Sequence, residues 1–205
     1  MKKKINYLYI CLILITIIWT ILVTSDSFLS LDNNIYNFVI SFKNETLTTI
    51  FKMITSIASV KFIIVIFIIS LLGLIKYKKG IFFSIIIYLD TIVNLIVKKI
   101  IGRNRPDKIN WLVVEKGYSF PSGHTMISIT FYGLLIYFIN KSNIKKTTKI
   151  LLSIILGILI LLIGLSRIYL GVHYFSDVIG GLLWGGLLLF SYIKFIERKE
   201  LVWKH

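Results

Sequence analysis

The sequence predicts an all-α polytopic membrane protein with six transmembrane helices and short interfacial helices between the first two. Three observations carry that expectation. The chain has 205 residues, 57% of them hydrophobic and only 16% charged, which is more apolar surface than a soluble fold of that size buries. The apolar residues gather into about six runs close to the ~20 residues that cross a bilayer as a helix. The lysines fall between the runs, and they crowd alternate links. A chain of this length suits one domain spanning 1–205.

The first run, Ile5–Val23, follows Lys2, Lys3 and Lys4. Signal peptides also begin basic, but this run is long and no small-residue cleavage site follows, so it reads as an uncleaved anchor. The second run is Val60–Ile75, with Lys61 free to snorkel at its edge. The third is Gly80–Ile101, the fourth Ser122–Ile139, the fifth Ile150–Leu165 and the sixth Val178–Phe195. Between the first two, Ser25–Ala58 is too polar to span. Its Leu31, Ile35, Phe38 and Val39, and then Leu47, Ile50, Phe51 and Ile54, recur at helical spacing and predict one or two amphipathic helices at the outer interface, either roofing a site or serving as a connector that rests on the headgroups. Gly181 and Gly185 form a small-xxx-small face that suits close helix packing within the bundle.

The amino terminus, the Lys76–Lys79 turn, the Lys141–Lys149 loop and the Lys194–Lys204 tail are lysine-rich. With six spans they share one side, which the positive-inside rule makes cytoplasmic together with both termini. The net charge of +15, from 24 basic and 9 acidic residues, forms no single basic stripe. It therefore argues for topology signals and an anionic ligand and against a nucleic-acid partner. The single cysteine, Cys11, rules out a disulfide framework within the chain and a Cys-based zinc site. The link Gly102–Pro121 lies on the opposite, extracytoplasmic side yet opens with Arg103 and Arg105. Those charges break the rule locally and need another job.

Both prolines and two of the three histidines fall in Arg103–His124 and Arg167–His173. Three segments there share the extracytoplasmic side: Lys98 to Pro106, Tyr118 to His124, and Ser166 to Asp177. Lys98 and Arg105 extend from the end of the third run and Arg167 from the end of the fifth. Cations at one membrane face repel, and near a helix centre each costs roughly 2.5–3.5 kcal/mol on insertion scales. Around a multiply charged anion they become favourable together, and phosphate matches guanidinium groups in pairs. Ser122 and Gly123 open the fourth span, where unpaired helix-start N–H groups point outward and Gly123 permits close approach. His173 and Asp177 are four residues apart and share a helix face if the sixth span begins near Val172. The carboxylate can then hold one ring nitrogen of His173 and leave the other as a nucleophile. His124, across the phosphate, can protonate the leaving oxygen as general acid. Singly, each of these residues is an ordinary interfacial histidine, topology marker or helix cap. Their joint occurrence on one face carries the reading.

Asp90, Asn94 and Lys98 recur one turn apart, which suggests a polar ladder in which Asn94 supports Lys98 while Asp90 lies about 12 Å deeper; the rival is that Asp90 pairs with a neighbouring helix. Arg103, Asp107, Glu115 and Lys116 read as solvated loop residues, with shaping of substrate entry as the alternative. Trp111 and Tyr118 read as interface aromatics.

The patterns Lys-x6-Arg-Pro (Lys98 to Pro106), Pro-Ser-Gly-His (Pro121 to His124) and Ser-Arg-x5-His-x3-Asp (Ser166 to Asp177) resemble the three signature motifs of the type 2 phosphatidic acid phosphatase superfamily, in its small bacterial six-helix branch. The triple motif is specific and shows no departure here. The resemblance implies a phosphohistidine on His173, oriented by Asp177, with His124 as acid. It implies phosphate contacts from Lys98, Arg105, Ser122, Gly123 and Arg167, and neither a cofactor nor a required metal. The implied activity is hydrolysis of the terminal phosphate of a lipid phosphate or pyrophosphate, undecaprenyl pyrophosphate or phosphatidylglycerol phosphate, with its tail in the bilayer. Two rivals stay open: a lipid phosphotransferase using the same residues, and a non-catalytic phospholipid-binding or transport protein, which needs the cations but not both histidines with Asp177. Nothing in the sequence selects a lipid tail or an oligomeric state.

Overall fold

The structure, a computed structural model, describes residues 2–59, 62, 65 and 79–198. Among them the chain forms seven α-helices and no strand: α1 (Lys2–Thr24), α2 (Leu29–Ile40), α3 (Glu45–Ser56), α4 (Lys79–Ile101), α5 (Gly123–Lys141), α6 (Lys146–Tyr169) and α7 (Phe175–Arg198). A single 3-10 turn, Lys108–Asn110, interrupts the α4–α5 loop. The expected second span, Val60–Ile75, lies outside the described residues except for Phe62 and Val65, as does the Lys76–Lys79 turn except for Lys79 and the tail beyond Arg198. Three of the described helices are long and apolar enough to cross a membrane: α1 over Tyr7–Thr24, α6 and α7. Helix α5 matches the expected fourth run but is less apolar, because Thr125, Ser128 and Thr130 face inward and are buried.

Helix α5 is the centre of the bundle and packs on α4, α6 and α7; α1 lies against α7, and α3 against α6. Ile86, Leu134, Ile163 and Ile196 close the core between these helices. The outward faces stay apolar: Leu14, Ile18 and Ile21 of α1 and Leu151, Ile158 and Leu161 of α6 are each at least half exposed, a surface suited to hydrocarbon rather than water. The α5–α7 contact depends on glycine. A Cβ on Gly181 would lie 2.7 Å from the Ser122 carbonyl oxygen, and one on Gly185 would lie 2.6 Å from that of Met126, so the small-xxx-small face brings the two backbones together.

Helices α2 and α3 form where the apolar spacing places them, but the apolar residues of α2 are divided, with Val39 packed on the core. Its buried residues are Asp32 and Tyr36, while Leu31 and Phe38 remain exposed. Helix α3 packs Leu47 and Phe51 on Tyr169, Leu170 and Val172.

The α6–α7 junction determines where His173 sits. Helix α6 ends in a Schellman motif: Val172 N–H bonds the Arg167 carbonyl at 3.2 Å, and Gly171 N–H bonds that of Ile168 at 2.9 Å. Gly171 adopts φ +80°. Helix α7 opens with half a capping box, in which Asp177 Oδ2 accepts from Tyr174 N–H at 2.8 Å. His173 is held between these two devices, outside either helix. The shared helix face anticipated for His173 and Asp177 is therefore replaced by a loop residue beside a first-turn carboxylate.

Candidate active site

A cavity of about 460 Å³ opens between α4, α5 and the α4–α5 loop, and its walls include Lys98, Arg105, Glu115, Gly123, His124 and His173. Five of the eight residues singled out from the sequence thus share one cavity, with both imidazoles on it. The other three do not line it. Asp177 is fully buried behind His173, with Oδ2 3.5 Å from Nδ1. Arg167 is 1% exposed and gives Nη1 to Thr55 Oγ1 at 2.8 Å and Nη2 to Glu115; its Nε has no partner among the described residues. Ser122 is fully buried too, and its N–H bonds the Asp177 carbonyl at 3.0 Å. The outward-aimed Ser122 amide expected at the start of α5 is therefore spent on α7, because glycine packing brings the two helix starts together.

His173 is 2% exposed. Its Nδ1 lies 3.4 Å from Ser119 Oγ and faces Asp177, while Nε2 accepts from Arg105 Nη1 at 3.0 Å. This geometry assigns the proton to Nδ1 and the lone pair to Nε2, the atom on the Arg105 side. Burial, followed by the nearby charges of Arg105, Lys98 and Arg167, pushes the His173 pKa well below the usual imidazole range, so the ring is neutral near pH 7. Arg105 is clamped by the carbonyls of Val172, Gly117 and Lys116. Lys98 Nζ donates to the carbonyls of Tyr118 and Ser119.

The expected ladder from Asp90 through Asn94 to Lys98 does not form. Asn94 Nδ2 donates to the Pro121 carbonyl at 3.2 Å and so supports the turn before Gly123. Asp90 accepts from Thr130 Oγ1 of α5 at 3.0 Å, the neighbouring-helix pairing. The reason is reach: Lys98 bends toward the loop carbonyls at the helix end, away from the turns below it.

The PAP2 superfamily model matches residues 79–200. Phosphatidylglycerophosphatase B of Bacillus subtilis is 33% identical over 174 residues, covering 83% of this chain and 85% of that protein. The chain belongs to the PAP2 superfamily. The enzyme of the same name from Haemophilus influenzae is 33% identical over 95 residues, 44% of this chain and 39% of that one. The crystal structure of the transmembrane PAP2-type phosphatidylglycerolphosphate phosphatase from Bacillus subtilis superposes with a TM-score of 0.84 at 31% identity, covering 93% of this chain and 96% of that one. Aquifex aeolicus LpxE shares the fold, with a TM-score of 0.65 at 24% identity over 80% of this chain and 95% of that one. Membrane-spanning helices and this transmembrane relative make the chain a membrane protein.

In this PAP2 member the fold also brings to the site several polar residues that no sequence motif marks. Arg103, read as a loop residue, bonds Asp177 Oδ1 at 2.6 Å and Asp32 Oδ2 at 2.7 Å. Burial pulls its pKa down, but Asp177 and Asp32 more than offset this and hold it charged. Glu115, also read as a loop residue, pairs with Arg167 and lies 3.9 Å from Arg105. Ser119 Oγ donates to Asp177 Oδ2, and Thr55 of α3 takes Arg167. The signal for Arg103 was its breach of the charge rule. Asp32, Ser119 and Thr55 had none, being common residue types in ordinary positions.

Proposed function

We propose that this protein is a lipid phosphatase that removes the terminal phosphate of a lipid phosphate or pyrophosphate through a phosphohistidine on His173. One observation carries the reading: a buried imidazole whose Nε2 accepts from Arg105 in a cavity that also holds Lys98 and His124. Nε2 attacks phosphorus in line as the bond to the lipid oxygen breaks, and His124 gives that oxygen its proton. The attached ring becomes cationic, and Asp177 stabilises it at Nδ1. Lys98, Arg105, Arg167 and the Gly123 N–H stabilise the equatorial oxygens; Ser122 acts by holding the start of α5 against α7. The phosphate offers Arg105 a stronger acceptor than Nε2, which frees the lone pair, and it takes over from Glu115 the charge of Arg167. Water then attacks phosphorus, His124 accepts its proton, and inorganic phosphate leaves. No metal ion enters any step.

Six spans in a single domain, 1–205, with both termini cytoplasmic, put this site at the extracytoplasmic face. The substrate tail then lies along Leu95 and Ile127, the apolar part of the cavity wall. The name of the Bacillus relative favours phosphatidylglycerol phosphate, and undecaprenyl pyrophosphate presents the same terminal group. The test is phosphate release by purified protein in detergent from a panel of glycerol and prenyl phosphates, with mass spectrometry of the products. Release of free phosphate supports hydrolysis, and a phosphorylated acceptor supports a transferase instead. His173→Ala should cut turnover by roughly 10³-fold or more. Retained turnover by folded His173→Ala rejects the covalent route.

A further inference from the structure

We propose that Asp32, on the short helix α2, is a positioning residue for catalysis: acting through Arg103, it fixes the Asp177 carboxylate and leaves it a net anion toward His173. This rests on the reading of His173 as the nucleophile.

The geometry is a closed relay. Asp32 is fully buried on the face of α2 that also buries Tyr36, while Leu31 and Phe38 of the same helix are exposed. Its Oδ1 accepts from Ser176 N–H at 2.9 Å, and its Oδ2 accepts from Ser176 Oγ and, at 2.7 Å, from Arg103 Nη2. Arg103 Nη1 reaches on to Asp177 Oδ1 at 2.6 Å, and the guanidinium stacks 4.8 Å from the Tyr174 ring centroid. The other Asp177 oxygen takes Ser119 Oγ and Tyr174 N–H and faces His173 Nδ1. Every direction in which the Asp177 carboxylate could rotate is thus occupied.

Two physical consequences follow. The first is mechanical. Tyr174 stands where α7 wants a short oxygen-bearing cap, and it has none to offer. Asp32 supplies that oxygen from another helix, since it accepts the N–H of the second residue of α7 and puts a negative charge at the positive end of the helix. The second is electrostatic. The groups around His173 are Lys98 from α4; Arg103, Arg105 and Glu115 from the α4–α5 loop; His124 from α5; Arg167 from α6; Asp177 from α7; and, through Arg103, Asp32 from α2. Arg103 alone would neutralise Asp177. With Asp32 on its far side, the guanidinium is shared between two carboxylates and the relay stays net negative. That surplus charge is what an imidazolium carrying a phosphoryl group needs beside it.

The experiment compares wild type, Asp32→Asn and Asp32→Glu in detergent on one lipid phosphate, reading kcat, KM and the pH profile of kcat/KM. Asp32→Asn keeps the shape and removes the charge. Its kcat should fall about tenfold or more with KM changed less than about threefold. With less negative charge nearby, the His173 imidazolium is disfavoured, its pKa falls, and the acid limb moves to lower pH by roughly one pH unit. Asp32→Glu keeps the charge on a longer stem, so kcat drops while the acid limb stays at its wild-type position. A purely structural Asp32 would lower thermal stability or active fraction and leave the limb in place; that outcome overturns the proposal, as does a limb shift in Asp32→Glu. The Glu variant keeps the test decisive if Asp32→Asn does not fold. Wild-type protein that releases no phosphate would sink the functional reading itself; active wild type with an unaltered Asp32→Asn sinks only the relay.

Discussion

Replacing Gly171 with alanine tests whether the α6–α7 junction places His173, the proposed nucleophile. Gly171 has φ +80°, a conformation that costs an ordinary L-residue about 1–2 kcal/mol. There is also no room, because an added Cβ would lie 2.4 Å from the Asn110 carbonyl oxygen and 2.9 Å from its carbon. The obstacle is backbone of the α4–α5 loop, tied to the junction by Leu112 N–H on the Leu170 carbonyl at 3.0 Å, so it cannot swing aside as a side chain would. Overpacking of this kind adds roughly 1–3 kcal/mol, which gives a total destabilisation of about 2–5 kcal/mol. His173 is two residues further on and hangs from the same turn. A displacement of about 1 Å there costs on the order of 10²-fold in rate. The assay is thermal unfolding in detergent together with kcat on a lipid phosphate. Gly157→Ala serves as the control, since nothing lies within 4 Å of its added Cβ on α6; it should keep the wild-type rate and melt no lower than wild type. If Gly171→Ala melts and turns over like wild type, the Schellman turn does not set the position of His173, and the account of the junction is wrong.

Other expectations are as direct. Glu115→Gln removes the carboxylate that competes with phosphate for Arg167, so inorganic phosphate should inhibit at roughly tenfold lower concentration, the equivalent of about 1.4 kcal/mol; unchanged inhibition would show that Glu115 yields without cost. Because burial and its cationic neighbours hold the His173 pKa well below the imidazole range, the neutral ring that the proposed attack requires persists on acidification. The kcat/KM profile should therefore show no acid limb centred near 6.5, where an unperturbed histidine would titrate; a limb centred there would contradict the buried assignment. Gly185→Ala places a Cβ 2.6 Å from the Met126 carbonyl oxygen and 2.4 Å from Ile129 Cγ2. Forcing α5 and α7 apart should cost roughly 1–3 kcal/mol and lower Tm by several degrees, measured by thermal shift.

Much of this protein is legible without coordinates. The lengths of the apolar runs predict helices, and α1, α4, α5, α6 and α7 begin and end within a few residues of those runs. Helical spacing alone predicts α2 and α3. The cavity residues Lys98, Arg105, Gly123, His124 and His173 all come from short segments whose polar composition is out of place in an apolar chain, two of them carrying the chain's only prolines. Membrane proteins favour this kind of reading, because an ionisable residue near lipid is costly enough that its presence is itself informative.

What the tertiary structure decided is which polar groups answer one another. Spacing relates residues a few positions apart, but Arg103 meets Asp177 across 74 positions and Ser176 meets Asp32 across 144. The same limit hid the difference between lining and support: Lys98, Arg105, His124 and His173 face the cavity, Asp177 and Ser122 stand behind it, and Arg167 is held by Thr55 and Glu115. An isolated helix leaves the start of α5 with free N–H groups, and only the approach of α7 over its glycines turns the Ser122 amide toward Asp177. Hydrophobic pattern is a local property, because each residue meets lipid or core on its own account. The pairing of buried charges is not, because each is stable only beside a partner that the fold supplies.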